Sequence, residues 1–269
     1  MNEKKRLDAL LVERGFFSGR AQAKAAVMAG EVRLGGRVAD KAGTLVSADA
    51  QIEVSGKKLP YVSRGGLKLA RAIEDFSLSA QGLTVLDVGS STGGFVDCLL
   101  QNGAQKVYAV DVGYGQLDWR LRQDERVIVM EKTNARYLSE REIGEAVDMV
   151  TADVSFISLA KVLPAPLRLL REEGHLLALI KPQFEAGRDK VGKGGVVRDK
   201  AVHAEVISRV FQFLLGEGMA VLGLTFSPVT GADGNIEYLV LARKTSTPAL
   251  LPDIAALVDE AWGFAGAHE

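Results

Sequence analysis

Leu86-Asp87-Val88-Gly89-Ser90-Ser91-Thr92-Gly93-Gly94-Phe95 is the stretch that decides the fold. A short apolar run carrying an acid enters a glycine-rich turn. An apolar helical stretch with Phe95, Val96, Cys98, Leu99 and Leu100 follows. A strand, a glycine turn and a helix in that order let backbone approach a bound nucleotide closely. The dinucleotide fingerprint needs G-x-G-x-x-G, and here Ser91 stands at the second glycine position. No G-x-x-x-x-G-K-[ST] occurs, so the turn is not a phosphate-binding P-loop.

Downstream the chain alternates. Strands are expected at Val85–Gly89, Lys106–Val112, Val127–Glu131, Asp148–Asp153 and His175–Lys181. Helices are expected near Gly93–Asn102, Gln116–Gln123, Arg136–Gly144 and Leu159–Glu172, with a final one at Lys200–Gly216. Five strands joined by crossover helices predict an α/β, doubly wound, mostly parallel sheet. Ala220–Pro228 and Ile236–Lys244, joined by a Gly/Asp/Asn turn, predict an antiparallel hairpin at its edge. That Rossmann-like layout with an antiparallel last strand is the class I methyltransferase sheet.

Strand ends carry the polar residues. An Asp-x-Gly-x-x-x-Gly turn with no phosphate-binding lysine suits a nucleoside ligand without a pyrophosphate, and S-adenosylmethionine is one. Its candidate contacts are Asp87, Gly89, Ser91, Gly93 and Phe95. Asp111, 22 residues past Gly89, stands where a carboxylate binds ribose hydroxyls. Asn134, after the third strand, is placed to bond an adenine edge. Each of these residues taken singly also reads as a turn glycine or a helix cap.

Asp153 ends the fourth strand, Lys181 the fifth, and Glu237 begins the antiparallel last one. All three are expected at the edge where open α/β sheets bind ligands. Lys181 directly follows Leu176-Leu177-Ala178-Leu179-Ile180, and its plain alternative is an ion pair to Asp153. A helix over Leu67–Phe76 follows Gly65-Gly66. Lys68 lies off its apolar stripe of Leu69, Ile73 and Phe76.

The chain has 269 residues, 33 Lys/Arg and 34 Asp/Glu. A net charge of −1 argues by itself against a nucleic-acid binder. The charge is unevenly spread, however. Met1–Ala72 carries 14 basic against 7 acidic residues, and the rest 19 against 27. A basic head on an acidic body predicts two domains with different partners. The single Cys98 excludes an internal disulfide and reads as a small buried side chain, and no metal site is expected. With no signal-peptide core and no run of about 20 apolar residues, a soluble cytoplasmic protein without a membrane span is expected.

In the head, a helix is expected over residues 6–20 with Leu7, Leu10, Leu11 and Phe17 inward. Ser18 is expected to cap a second helix, Gly19–Ala29, closed by Gly30. Strand-like pieces follow at Val32–Leu34, Arg37–Val38 and Gln51–Val54. Arg6, Arg14, Arg20, Lys24, Arg33 and Arg37 read either as a solvated basic face or as an RNA-docking one.

The pattern Arg6-Leu7-Asp8, Leu11, Arg14-Gly15, Ser18, Arg20, Ala23, Val27, Gly30, Val32, Leu34-Gly35-Gly36 and Val38 resembles the αL RNA-binding module of a small-subunit ribosomal protein and many pseudouridine synthases. The resemblance implies salt-sensitive docking of RNA backbone on two helices. Lys68, Asp153, Lys181 and Glu237 resemble the Lys-Asp-Lys-Glu tetrad of FtsJ-like ribose 2′-O-methyltransferases. Over about residues 5–245 the chain resembles the TlyA family of ribosomal RNA methyltransferases, also labelled haemolysins. The motifs that carry this are Ser63-Arg64-Gly65-Gly66-x-Lys68-Leu69, Ala152-Asp153-Val154-Ser155-Phe156 and Lys181-Pro182-Gln183-Phe184-Glu185.

The family implies methyl transfer from S-adenosylmethionine to a ribose 2′-hydroxyl, of cytidine, in ribosomal RNA or ribosomal subunits. It implies a catalytic set of Lys68, Asp153, Lys181 and Glu237, with Asp153 also at the cofactor. The expected organisation is an α+β αL domain at 1–60, a linker at 61–66 and a methyltransferase domain at 67–269, monomeric or weakly dimeric. The loop after Lys181 has 6 basic and 3 acidic residues over positions 181–200. Its Arg188, Lys190 and Lys193 are expected to form an RNA-contacting lid, with Arg33 and Arg64 as further RNA contacts. The competing classes are a methyltransferase with another acceptor atom, a dehydrogenase, and a non-enzymatic RNA-binding or haemolytic protein.

Overall fold

The structure, a computed structural model, describes residues 4–17, 19–28, 31–39, 41–54, 59–231, 234–245 and 252–266. The chain divides into two compact units, Met1–Leu59 and Pro60–Glu269. That division assigns 11 basic and 7 acidic residues to the first unit. The excess is therefore +4, smaller than the break at Ala72 implied, because Arg64, Lys68 and Arg71 belong to the second unit.

The first unit runs β1 (Lys4–Arg6), α1 (Leu7–Glu13), α2 (Arg20–Met28), β2 (Val32–Leu34), β3 (Arg37–Val38), β4 (Leu45–Ser47) and β5 (Ile52–Val54). β1 pairs antiparallel with β4, and β3-β2-β5 form a second antiparallel sheet. Leu7, Leu10, Leu11, Ala23, Val27 and Val32 make its core. The first helix is shorter than its spacing predicts. It stops at Glu13, Gly15 turns at φ +73°, and Arg14 donates to the carbonyls of Ala48 and Ala50. Phe17 packs on the core from outside the helix, and Arg6 is extended rather than helical. The expected cap Ser18 and the closing Ala29 and Gly30 lie outside the described residues.

The second unit begins with α3 (Gly65–Asp75), two residues earlier than the sequence suggests. Then come β6 (Thr84–Val88), α4 (Gly94–Gln101), β7 (Lys106–Val110), α5 (Trp119–Arg122), β8 (Val127–Met130), α6 (Glu140–Ile143) and β9 (Val147–Ala152). They are followed by α7 (Leu159–Val162), α8 (Pro164–Leu169), β10 (Leu170–Ile180), α9 (Pro182–Glu185), α10 (Lys200–Gly216), β11 (Met219–Phe226), β12 (Tyr238–Lys244) and α11 (Ile254–Gly266). The sheet order is β11-β12-β10-β9-β6-β7-β8, and β12 alone runs against its neighbours. β6 is buried along its whole length. Leu86 and Val88 enter one apolar cluster and Val85 the other, so helices cover both faces.

Several expected helices are broken. Positions 136–144 form a 3-10 turn at Ala135–Tyr137 and then α6, restarted by a capping box of Ser139 and Glu142. Of the expected Gln116–Gln123 helix only the turn α5 forms. α8 ends at Leu169, so β10 starts five residues before the expected His175, with a register shift between Leu170 and His175. α10 is not the final helix, since α11 follows it. Ile254, Leu257, Val258, Ala261 and Trp262 of α11 pack on the core at helical spacing, a stripe that the sequence reading passed over. Among the described residues no helix is long and apolar enough to cross a membrane.

Candidate active site

The C-terminal ends of β6, β9 and β10 and the start of β12 come together at one edge of the second unit's sheet. Parallel register places Val88 beside Ala152, and Ala152 beside Ala178. The chain beyond each strand therefore opens into a shared cavity of about 360 Å³. Gly89, at φ +85°, is required by this packing. A Cβ there would stand 2.5 Å from the Asp153 carbonyl oxygen. Gly93 caps α4 at φ +96°. Ser91 holds φ +48°, so it takes the conformation usual for glycine at its place in the turn.

Four ionic side chains from four elements meet at this cavity. Lys68 of α3 places Nζ 2.5 Å from Glu237 Oε2. Lys181 places Nζ 2.5 Å from Asp153 Oδ1 and donates to Ser155 Oγ at 3.1 Å. Lys68, Lys181 and Glu237 are buried, and Asp153 is half-buried. Gln183 donates to Glu237 Oε1 at 3.5 Å, and its own Oε1 is buried without a partner among the described residues. The two oppositely charged pairs balance each other, and Arg64, which also lines the cavity, leaves it with an excess of positive charge. The ion pair weighed as the plain alternative for Lys181 is present, and it lies within the cavity wall.

Gly89, Ser91, Phe95 and Arg64 also line the cavity, whereas Asp87, Gly93 and Asp111 do not. Asp87 is buried beneath the turn. Its Oδ1 accepts from the Thr151 hydroxyl at 2.6 Å, and its Oδ2 has no partner among the described residues. Burial pushes its carboxyl up to about 7, opposed by the Thr151 hydrogen bond. Asp111 accepts from the backbone N–H of Ser91 at 2.8 Å and of Gly113 at 2.7 Å, which holds the turn against the end of β7. Asn134 is exposed and also lies outside the cavity, and its side-chain oxygen caps the 3-10 turn by accepting from Arg136 N–H at 3.1 Å.

Two aromatic residues escaped the sequence-level site assignment. Phe156 is 90% exposed, sits at φ +64°, and packs its ring 4.9 Å from that of Phe184 at a tilt of 50°. Glu185 fixes the segment that carries Phe156 by accepting from Ser158 Oγ and Leu159 N–H, both at 2.7 Å. Such an exposed ring on strained backbone was detectable only as an aromatic just past a strand-end acid. Cys98 is buried on α4, and burial pushes its thiol up to about 11.

The expected RNA-contacting residues are spread more widely. None of Arg188, Lys190 and Lys193 lines the cavity, and Lys190 is paired with Glu205 on α10. In the first unit Lys24 is exposed, Arg33 donates to the Gly36 carbonyl, and Arg6 and Arg20 share Asp8.

The FtsJ-like methyltransferase model matches residues 61–244, and the S4 domain model matches residues 5–52. The chain is 52% identical to YqxC of Bacillus subtilis, described as a candidate rRNA methyltransferase, over 89% of this chain and 85% of that one. It is 45% identical to the 16S/23S rRNA (cytidine-2′-O)-methyltransferase TlyA of Mycobacterium tuberculosis, over 93% and 94%. A solved structure of a candidate hemolysin from Streptococcus thermophilus is 43% identical, with a TM-score of 0.81 covering 100% of this chain and 99% of that one. With a paired lysine–carboxylate site at the ligand edge of a methyltransferase sheet, and an S4 domain before it, this chain belongs to the FtsJ-like methyltransferases of the TlyA type.

Proposed function

We propose that the second unit methylates a ribose 2′-hydroxyl of ribosomal RNA, with cytidine as the target nucleoside, and that the first unit docks the enzyme on RNA in the cytoplasm. One observation carries this reading, the convergence of Lys68–Glu237 and Lys181–Asp153 on one cavity. The cytidine assignment rests on the relative of that specificity at 45% identity.

S-adenosylmethionine, the methyl donor, supplies when bound a methyl on a positively charged sulfur. The residues present suit it. Asp87 Oδ2 is a buried acceptor with no donor among the described residues, and the Gly89–Gly93 turn carries no bulky side chain. Asp111 keeps lone pairs for hydroxyl groups beyond its two backbone amides.

Methyl transfer between two oxygen- and sulfur-centred partners is an in-line displacement, so positioning supplies much of the acceleration. As the 2′-oxygen bonds the methyl and the methyl–sulfur bond breaks, the Lys181–Asp153 pair, held by Ser155, takes up the hydroxyl proton, and Lys181 Nζ steadies the charge on that oxygen. Lys68, fixed by Glu237, holds the neighbouring ribose or phosphate oxygen. Phe156 and Phe184 offer an apolar face to the base, a contact that tolerates any base and orients the sugar.

The test is transfer of labelled methyl from S-adenosylmethionine to ribosomal RNA and isolated subunits, followed by mapping of ribose methylation. Label on a cytidine ribose is expected. Label on a base, or no transfer to either substrate, rejects the reading.

A further inference from the structure

Asp8 is a buried acid at the front of α1, in the unit assigned to RNA docking. Its position is unusual for such a unit, because a carboxylate repels phosphate. The side chain is 6% exposed, and both of its oxygens are engaged by arginine. Arg6 Nε donates to Oδ1 at 3.0 Å, and Arg6 Nη2 donates to Oδ2 at 2.9 Å. Arg20 Nη2, from the start of α2, donates to the same Oδ2 at 3.0 Å. Arg6 and Arg20 themselves stay about half exposed, at 51% and 58%. The backbone of Gly43 lies against the Arg6 guanidinium, where a Cβ would come within 3.2 Å of its nitrogens.

We infer that Asp8 is a positioning residue for RNA binding. It clamps Arg6 and Arg20 into one rigid two-guanidinium receptor for a backbone phosphate. The inference rests on the reading that the first unit docks RNA. A guanidinium has five N–H donors in a planar fork. Asp8 takes two from Arg6 and one from Arg20, so the outward edges of both remain to bind phosphate oxygens. Two free arginines would each lose side-chain freedom on binding, whereas these are already ordered. The guanidinium of Arg6 in turn holds the Asp8 carboxyl well below the usual carboxylate range, so the clamp stays charged at any physiological pH.

The clamp and a bare charge effect predict opposite signs. Asp8→Asn keeps the shape and adds one positive charge to the RNA-facing unit. If Arg6 and Arg20 act only by charge, binding tightens. If their geometry matters, binding weakens in spite of the extra charge. The probe is deproteinised large-subunit ribosomal RNA, with affinity measured across a salt series using the full chain. Asp8→Asn is expected to weaken binding by about tenfold, the loss of roughly one charge-assisted hydrogen bond. Arg6→Lys with Arg20→Lys, which keeps the charge on exposed side chains but loses the fork, is expected to lose at least as much.

Hydrogen exchange in Leu7–Glu13 and Arg20–Met28 reports whether the helices stay folded. If Asp8→Asn has melted them, the double lysine variant decides. Equal or tighter binding by the folded Asp8→Asn chain overturns the clamp. So does unchanged affinity in the double lysine variant. Failure of the unaltered chain to bind this RNA rejects the docking reading itself.

Discussion

Lys68 Nζ and Glu237 Oε2 lie 2.5 Å apart, although 169 positions separate them in the chain. One sits on the first helix of the methyltransferase unit and the other just before its last central strand. The pair thus ties the beginning of the fold to its end at the cavity where Lys181 and Asp153 also meet. Both members are buried. Attraction between two such charges roughly offsets the cost of taking them out of water, so the pair itself adds little net stability. Breaking it is a different matter, because one buried charge is then left unpartnered.

Lys68→Met is therefore expected to destabilise the unit by about 3–5 kcal/mol, as removal of one partner of a buried pair does. Adding Glu237→Gln removes the orphaned charge, and the double variant should recover most of that loss in urea unfolding. It should still fail to methylate RNA. Recovery of turnover along with stability would show that the pair serves the fold alone.

At Lys181 the expected signature is different. Lys181→Ala should lower methyl transfer by 10² to 10³, the size expected when one donor to developing charge is lost. S-adenosylmethionine affinity, read by calorimetry, should stay within a few-fold, since Lys181 is not among its candidate contacts. Asp153 stands between both roles, so Asp153→Asn should reduce both measurements. Full turnover in Lys181→Ala would remove the assigned role.

The apolar pattern made the parallel sheet and its antiparallel strand legible, because β6 and β10 are buried runs bounded by turn residues. Asp153, Lys181 and Glu237 were legible for a related reason, since each stands where such a run stops or starts. Lys68 was not, because off its helix's apolar stripe it looks like a solvated lysine, and only the tetrad resemblance singled it out. Short elements were not legible. β4 buries only Val46, and one apolar residue carries no period. The cap that Asn134 makes was one of two readings of a strand-end amide, and the Arg136 N–H beside it shows that the amide oxygen serves the turn. Phe156 was hidden because its importance lies in a positive φ and an exposed ring, neither of which leaves a mark on composition. The cluster at Asp8 was likewise unreadable as charge counting. Its acid subtracts from the basic total while organising the arginines that make it up.

Asp87 makes stability depend on pH. Its carboxyl rises from an ordinary 3.8 to about 7 on folding. Between those values the folded chain binds more protons than the unfolded one, so this residue's contribution falls as pH rises through that window. Asp87→Asn, which can still accept from Thr151, should unfold at the same temperature as the parent near pH 4. It should gain progressively up to pH 7 and level off above, with a ceiling of roughly 4 kcal/mol. Parallel melting profiles across that range would contradict the burial argument. Saturating S-adenosylmethionine should narrow the gap if its ammonium partners the unpaired Oδ2.

Phe156 separates stability from function by sign. Its backbone stands at φ +64°, where a side chain costs about 1–2 kcal/mol relative to glycine, and its ring is 90% exposed. Phe156→Gly relieves the strain, although glycine also gains freedom in the unfolded chain, so melting should be unchanged or slightly higher. Phe156→Ala keeps the strain and should be near neutral, within about 0.5 kcal/mol. Both variants remove the face on which a base would stack, a contact worth about 1–3 kcal/mol. Each should therefore lower kcat/KM for RNA by roughly 5- to 160-fold while S-adenosylmethionine binding is retained. A fold-neutral variant with unaltered kcat/KM would mean that the ring is held in place for something other than the substrate base.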